Sequence, residues 1–360
     1  MFCIASFIVF CVLGIFSASY RPLVGKAWHC VLRRVTFRPC DIDFSEEVKG
    51  RILGKLILKH PRLTRFLDRW FDWLAFVFVV LSVWSLLYMA HAGLNLWVYD
   101  TCNPSNAESC SLSGEACGID QASLSLVEAV KTGRVGTWIT SPFVQFGETV
   151  LRIPDRLKHW DAKEYLSPTA TFYHPLDPLK PYALEIIDPS CKFCKKLTGN
   201  LHAAGVFDRQ NVSYLLFPIP KAGTGGYKFP HSFLMASYIE AVKTVPLPRN
   251  DRLVPPDWQL IDKMFADPSG NDVDLQTMFA MGFTPDDAER MLHTLLGEIG
   301  YTAEQIQDIA RAASSPLIHD RLNAQRMIVE KTIRTIKIPT LLLGGRRFDR
   351  VVGVESLRQF

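Results

Sequence analysis

The chain contains no internal repeat and no low-complexity tract, which excludes solenoids and linker-dominated proteins. Charge is scarce: 21% of the 360 residues, against 48% hydrophobic. That is too apolar for a disordered chain and too polar for a polytopic membrane protein. With a formal net charge of only +4, no nucleic-acid partner is expected. Cysteine is also sparse, nine residues, which excludes a dense disulfide scaffold. Seven of them, Cys3, Cys11, Cys30, Cys40, Cys102, Cys110 and Cys117, lie at no motif spacing; the other two form one CxxC, Cys191-Lys192-Phe193-Cys194. No second pair exists to complete a zinc knuckle, and His29 with Cys30 and Cys40 lacks a fourth ligand.

Two stretches lack charge altogether, residues 1–20 and 73–99, the latter with its apolar core at 73–90. Each has the ~20 residues a membrane span needs, and neither shows the polar face of a buried globular helix. The expectation is two transmembrane helices, at 1–20 and 71–92. The first is a span or uncleaved signal anchor. A cleaved signal peptide competes, with Ser17-Ala18-Ser19 as its site, but no basic residue precedes the apolar run. Between residues 21 and 69 stand twelve Lys or Arg and five Asp or Glu, whereas 91–130 has no Lys or Arg. The positive-inside rule makes 21–70 a basic cytoplasmic loop and puts the N-terminus and everything after about residue 92 outside. The implied location is the cell (inner) membrane, with the C-terminal domain on the extracytoplasmic, periplasmic side and the lipid bilayer as a partner. The basic loop is a topology signal before it is a lipid-binding element.

Residues 93–168 form a connector. Its segment 102–117 (CNPSNAESCSLSGEAC) has loop composition, and its three cysteines suggest one local disulfide and one spare thiol. The spare either pairs elsewhere or takes part in exchange; a loop staple is the plainer expectation. Residues 122–165 predict short amphipathic helices with turns at Gly133, Gly136, Pro142 and Pro154.

From residue 169 the pattern changes. Residues 182–188 (YALEIID) have strand length and character, Pro189-Ser190 interrupts, and a helix opens at Cys191 with Phe193, Leu197 and Leu201 on one face and Gly205 as its stop. Residues 211–217 (NVSYLLF) predict a second strand. Helices follow at 232–245, at 285–297 with Thr284 as N-cap, at 302–313 with a Thr302/Gln305 capping box, and at 316–335. A strand at 340–343, a turn at Gly344-Gly345, a hairpin partner at 347–352 and a last helix from 355 close the chain.

A CxxC at a helix start has a physical logic. Unpaired backbone N–H groups and the positive dipole end favour a thiolate on the first sulfur. Free thiols titrate near ~8.5 and such sites near ~3.5–7. Lys192, Lys195 and Lys196 push the same way. Cys191 is the expected exposed nucleophile, and Cys194, one turn in, the resolving thiol.

Residues 185–194 (EIIDPSCKFC) and 338–360 (IPTLLLGGRRFDRVVGVESLRQF) resemble the two signatures of the thioredoxin fold. The resemblance implies an α/β domain, 169–360, with a central mixed sheet flanked by helices. It also implies that Glu185, six residues before Cys191, relays protons to the buried cysteine with a pKa raised by desolvation. Pro339 matches the family's cis-proline, with Ile338 and Thr340 beside it as substrate-binding residues. Cys191 and Pro339 lie 148 positions apart (339 − 191), and the excess, about 225–335, is helical. This is similar to the DsbA-like branch, which carries a helical domain inserted in the thioredoxin core. The dipeptide Lys192-Phe193 matches neither thioredoxin's Gly-Pro nor the DsbA oxidases' Pro-His, so the direction of electron flow stays open.

The expected function is a membrane-anchored thiol–disulfide oxidoreductase acting on exported proteins, with no cofactor, no metal and a thiol protein of the membrane or extracytoplasmic space as redox partner. The alternative is a membrane-tethered thioredoxin-fold copper carrier, with His231 joining Cys191 and Cys194, or a non-catalytic chaperone-like binding protein.

Overall fold

The computed structural model describes residues 25, 28–29, 61–104, 115–119, 126–223, 225–247, 253–266 and 275–360. The expected span at 1–20, nearly all of the basic loop up to residue 60, and Cys110 lie outside the described residues. Contacts divide the chain into two units, Met1–His91 and Ala92–Phe360.

Helix α1 (Pro61–Tyr99) has 39 residues. Within it, Phe76–Tyr99 has a mean hydropathy of 1.8, with Leu81, Leu86, Leu87 and Met89 exposed. At 1.5 Å per residue this stretch covers about 36 Å, enough for a hydrocarbon layer of ~30 Å. The expectation of two transmembrane helices is corrected here. Among the described residues one helix, Phe76–Tyr99, is long and apolar enough to cross a membrane. An uncharged run is a matter of composition, while a span also requires a continuous helix of sufficient length, and this helix meets both conditions.

In the second unit, β1 (Cys117–Gly118) precedes α2 (Leu126–Lys131) and α3 (Val135–Leu151). Helix α3 runs through Gly136 and Pro142, where the sequence predicts turns. Proline removes the N–H that the Trp138 carbonyl would receive. The Ser141 hydroxyl donates to that carbonyl instead, at 2.8 Å, so the helix continues. Thr149 of α3 donates to Asn95 Oδ1 at 2.7 Å, tying α3 to the last turns of α1.

Strand β2 (Tyr182–Ile187) leads to α4 (Lys192–Ala203) and back to β3 (Asn211–Leu216). Gly205, at φ 68°, supplies the left-handed residue that stops α4. The main helices that follow among the described residues are α5 (Ser232–Val242), α6 (Pro256–Phe265), α7 (Pro285–Ile299), α8 (Ala303–Ala313) and α9 (Pro316–Met327). Thr284 caps α7 by accepting from Asp287 N, and Thr302 with Gln305 forms a full capping box on α8. The chain ends with β4 (Lys337–Ile338), β5 (Thr340–Leu343), β6 (Arg346–Phe348) and α10 (Val354–Leu357). The β5–β6 turn is Gly344-Gly345, both at positive φ (56° and 74°), as a two-residue hairpin of this twist requires.

The sheet order is β3-β2-β5-β6, with β2 and β3 parallel and the β2–β5 and β5–β6 pairs antiparallel. A parallel pair joined through a helix, extended by an antiparallel hairpin, is the thioredoxin-like arrangement. The fold is therefore mixed α/β, thioredoxin-like, with helices α5–α9 inserted between β3 and β4. The insertion covers the β3 edge. Gln325 Oε1 accepts from Leu216 N at 2.7 Å, and its Nε2 donates to Glu240 at 2.6 Å, whose carboxylate also pairs with Lys243 at 2.7 Å.

Trp258 of α6 anchors the insertion, with ring centroids 4.8 Å from Tyr214, 5.4 Å from Tyr173 and 5.6 Å from Phe207. It is fully buried, and its Nε1 finds no hydrogen-bond partner among the described residues. Trp258→Ala is expected to lower stability by about 3–5 kcal/mol in chemical unfolding. Trp258→Phe is expected to lose far less, since no hydrogen bond goes with the indole. Equal losses would contradict this packing.

Candidate active site

The turn after β2 sets the site. Asp188 ends the strand, and its Oδ1 accepts from Ser190 N at 2.9 Å and from the Ser232 hydroxyl. Its Oδ2 accepts from Ile219 N at 2.8 Å, and its carbonyl accepts from Cys191 N at 2.9 Å. The insertion adds Gln276, whose Nε2 donates to the Pro189 and Cys191 carbonyls at 3.0 and 3.3 Å. Cys191 is thereby fixed as the N-cap of α4. Burial, opposed by the bonds from Ser232, Ile219 and Ser190, pushes the Asp188 carboxyl up to about 6.

Cys194, three residues into this turn, is fully buried and a free thiol. Its sulfur accepts from Asp188 N at 3.4 Å. Burial pushes the thiol well above its ordinary value; the negative charges of Asp188 and Glu185 act the same way, and the Asp188 N–H opposes them. Glu185 lies mid-strand in β2, opposite Tyr214 on one side and Leu341 on the other. Its carboxyl is completely buried, with the Thr198 hydroxyl of α4 2.9 and 3.1 Å from its two oxygens. Burial, partly offset by that hydroxyl, pushes Glu185 up to about 8.

Cys191 differs from the sequence expectation. Rather than exposed, it is fully buried, and its disulfide partner is Cys117, with the two Cα atoms 6.9 Å apart. The cause is strand pairing. β1 lies antiparallel to β4 with Cys117 opposite Ile338 and Gly118 opposite Lys337, which carries the connector over the start of α4. Cys117 is thus the spare connector cysteine. Cys102 is also disulfide-bonded.

The structure brings Cys191, Cys194, Glu185 and Ile338 together. The Cys191 sulfur lies 4.0 Å from the Ile338 carbonyl oxygen, and the Ile338–Pro339 peptide is cis. Thr340 is turned elsewhere: its hydroxyl lies 2.8 Å from the Lys337 carbonyl, 2.8 Å from Asp349 and 2.8 Å from the Thr335 hydroxyl. Beside the disulfide lies a groove of about 590 Å³ with Phe193, Phe229 and Met281 in its walls and Lys192 and Lys228 at its edges. His231 donates through Nε2 to the Phe283 carbonyl at 3.0 Å. Among the described residues no group of three or more His, Cys, Asp or Glu is arranged to hold a metal ion.

Three participants escaped the sequence. Asp188 had a local signal, an acid directly before Pro189-Ser190-Cys191. Cys117 was visible only as one of three connector cysteines, and Gln276 carried no signal.

No protein-family model matches the chain, and no curated protein matches it significantly. Among solved structures, the thiol-disulfide exchange protein alpha-DsbA2 from Wolbachia pipientis is 16% identical, with a TM-score of 0.36 over 55% of this chain and 88% of that one. A thioredoxin-like oxidoreductase from Silicibacter pomeroyi DSS-3 is 14% identical, with a TM-score of 0.38 over 55% and 94%. ScsC of Proteus mirabilis in a transitional conformation is 11% identical, with a TM-score of 0.34 over 65% and 92%. The fold assignment rests on strand order and direction, not on these likenesses. Fold and site together define a thioredoxin-like fold with a disulfide between Cys117 and Cys191 next to a buried thiol, Cys194.

The raised Glu185 pKa has a stability consequence of definite sign. Below its ordinary 4.5 the carboxyl is neutral in both folded and unfolded chains, and no penalty exists. As the pH rises from 4.5 towards 8, the unfolded chain ionises first and stability is lost. Glu185→Gln is therefore expected to stabilise the protein at pH 7 by up to about 3 kcal/mol, a gain that vanishes below pH ~4.5. Unfolding curves across this pH range check it; a gain independent of pH would contradict the assignment.

Proposed function

We propose that the protein is a membrane-anchored thiol–disulfide oxidoreductase of the DsbA-like branch, acting on exported proteins through Cys191 and Cys194. The observation that carries this reading is the position of the Cys191 sulfur. It sits at the N-terminus of α4, 4.0 Å from the Ile338 carbonyl, already in disulfide linkage to a strand paired with β4. Backbone N–H groups of the first helical turn favour a thiolate there.

In the oxidising direction, a substrate thiolate attacks Cys191 of a Cys191–Cys194 disulfide. The bond's electron pair leaves on Cys194, which takes up a proton, for which the carboxyl of Glu185 is the neighbouring source. A second substrate thiolate then attacks the substrate sulfur of the mixed disulfide, and Cys191 departs as a thiolate. The same steps reversed reduce a substrate disulfide. Thiol–disulfide exchange needs no further cofactor. Electrons pass to or come from a second thiol protein of the membrane or the extracytoplasmic space.

The membrane anchor in this reading is Phe76–Tyr99. Twelve basic residues lie between positions 21 and 69, and none between 91 and 130, which orients the C-terminal unit away from the cytoplasm. The groove beside the disulfide, apolar with two lysines, suits an unfolded polypeptide stretch.

In a chain carrying Cys117→Ser and Cys194→Ala, a mixed disulfide formed when the Cys191 thiolate attacks a substrate disulfide has no Cys194 to resolve it, and such adducts are expected to accumulate on membranes and to be released by reductant. Replacing Cys191 as well is expected to abolish them. If adducts are absent, or persist without Cys191, the reading fails.

A further inference from the structure

Five connector residues, 115–119, lie as a docked peptide would. Their hold is mostly main-chain: β1 pairs with β4, Ile119 N donates to the Ile336 carbonyl at 2.9 Å, and Val351 N donates to the Glu115 carbonyl at 3.1 Å. Two lysines clamp the ends. Lys228 Nζ donates to the Gly118 carbonyl at 3.1 Å, and Lys196 pairs with the Glu115 carboxylate at 2.5 Å. Backbone addition to a strand edge, with one side chain committed to the site, is the way an extended peptide binds by β-augmentation. Here the committed side chain is Cys117, bonded to Cys191 across 74 residues of sequence. The linkage has the composition of a mixed disulfide between enzyme and substrate, with the substrate supplied by the chain itself. Behind it stands Cys194, a free thiol one helical turn from Cys191.

Resting on the oxidoreductase reading, we propose that segment 115–119 is a tethered substrate that closes the site, and that Cys117 is a third redox residue with which Cys194 competes for Cys191. In the opening step Cys194 gives up its proton and its sulfur attacks the Cys191 sulfur. The Cys191–Cys194 bond forms and the Cys117–Cys191 bond breaks. The electron pair leaves on Cys117, which takes up a proton. One disulfide and one thiol exist before and after, so the step consumes no oxidant or reductant. Once released, the segment is held by the two-residue β1–β4 pairing, the Ile119 and Val351 main-chain bonds and its clamps, with no covalent bond to the site, and the β4 edge becomes available to a substrate chain. Until then Cys191 is fully buried and shielded from outside thiols.

The test uses the full-length chain in detergent, acid-quenched, alkylated and mapped by mass spectrometry of non-reduced peptides. Wild type is expected to contain the 117–191 linkage, Cys194→Ser only that linkage, and Cys117→Ser the 191–194 linkage. Under reduced glutathione, Cys191 is expected to become alkylatable roughly tenfold more slowly in Cys194→Ser than in wild type, because internal attack is lost. Absence of any 117–191 linkage in wild type, while Cys117→Ser cycles normally between dithiol and disulfide, overturns the tethered substrate alone. A 117–191 bond that opens at the same rate with and without Cys194 is a structural staple and overturns it too. If Cys117→Ser neither forms the 191–194 bond nor exchanges with glutathione, the oxidoreductase reading itself falls, and this inference with it.

Discussion

The hydrogen bonds that Asp188 receives hold together the corner on which the site depends. One carboxylate gathers Ser190 from the turn, Ile219 from the chain after β3 and Ser232 from the insertion. Its own backbone meets both cysteines of the CxxC, through the Cys191 N–H and the Cys194 sulfur. A buried polar network of this kind stabilises only when its members are satisfied, and here each named partner has a defined donor. If the corner relaxed, α4 would shift its first turn and Cys191 would lose its position opposite Ile338. The inserted helices therefore do more than cover the β3 edge, because Ser232 and Gln276 brace the turn that carries the sulfur.

The same dryness that rigidifies the corner shapes its chemistry. Glu185, Asp188 and Cys194 are all completely buried, and burial disfavours the charged form of each. Cys194 is consequently kept as a thiol, a poor nucleophile until its proton is removed. Cys191 caps the helix N-terminus and is held in disulfide linkage to Cys117, and in the proposed function it is the sulfur through which exchange passes. This asymmetry between two cysteines one turn apart comes from local environment alone. The buried carboxyl of Glu185 costs the fold some stability at neutral pH, the kind of local cost expected where function overrides packing.

Much of this was legible in the sequence for identifiable reasons. Strands β2 and β3 are short apolar runs between breakers, and the caps at Thr284 and Thr302 sit one residue before helices with acids in their first turns. Glu185 and Pro339 were locatable because a fixed offset from Cys191 and a strand-opening proline survive any insertion between them. Other features depended on contacts no local pattern encodes. Pro142 looked like a break until Ser141 was seen to satisfy the carbonyl it leaves. Helix α6 opens with Pro256 and Asp257 but has no side-chain cap at Pro255, and it is held by Trp258 in an aromatic cluster from three other segments. The pairing of Cys117 with Cys191 follows from the docking of β1 on β4, a long-range event that spacing cannot reveal. Both uncharged stretches met the same test of composition; residues 1–20 lie outside the described residues, and 76–99 forms a helix long enough to cross a membrane.

The central claim is that the Cys191 sulfur exchanges partners rather than pinning two segments together. A redox titration of the full-length chain in glutathione buffers, scored by alkylation at Cys191, tests this most directly. The account predicts a reversible two-electron transition between about −120 and −270 mV, the range of thioredoxin-fold exchange proteins. A Cys191 bond that stays closed until below about −300 mV, or that does not re-form, behaves as a structural disulfide and would contradict it.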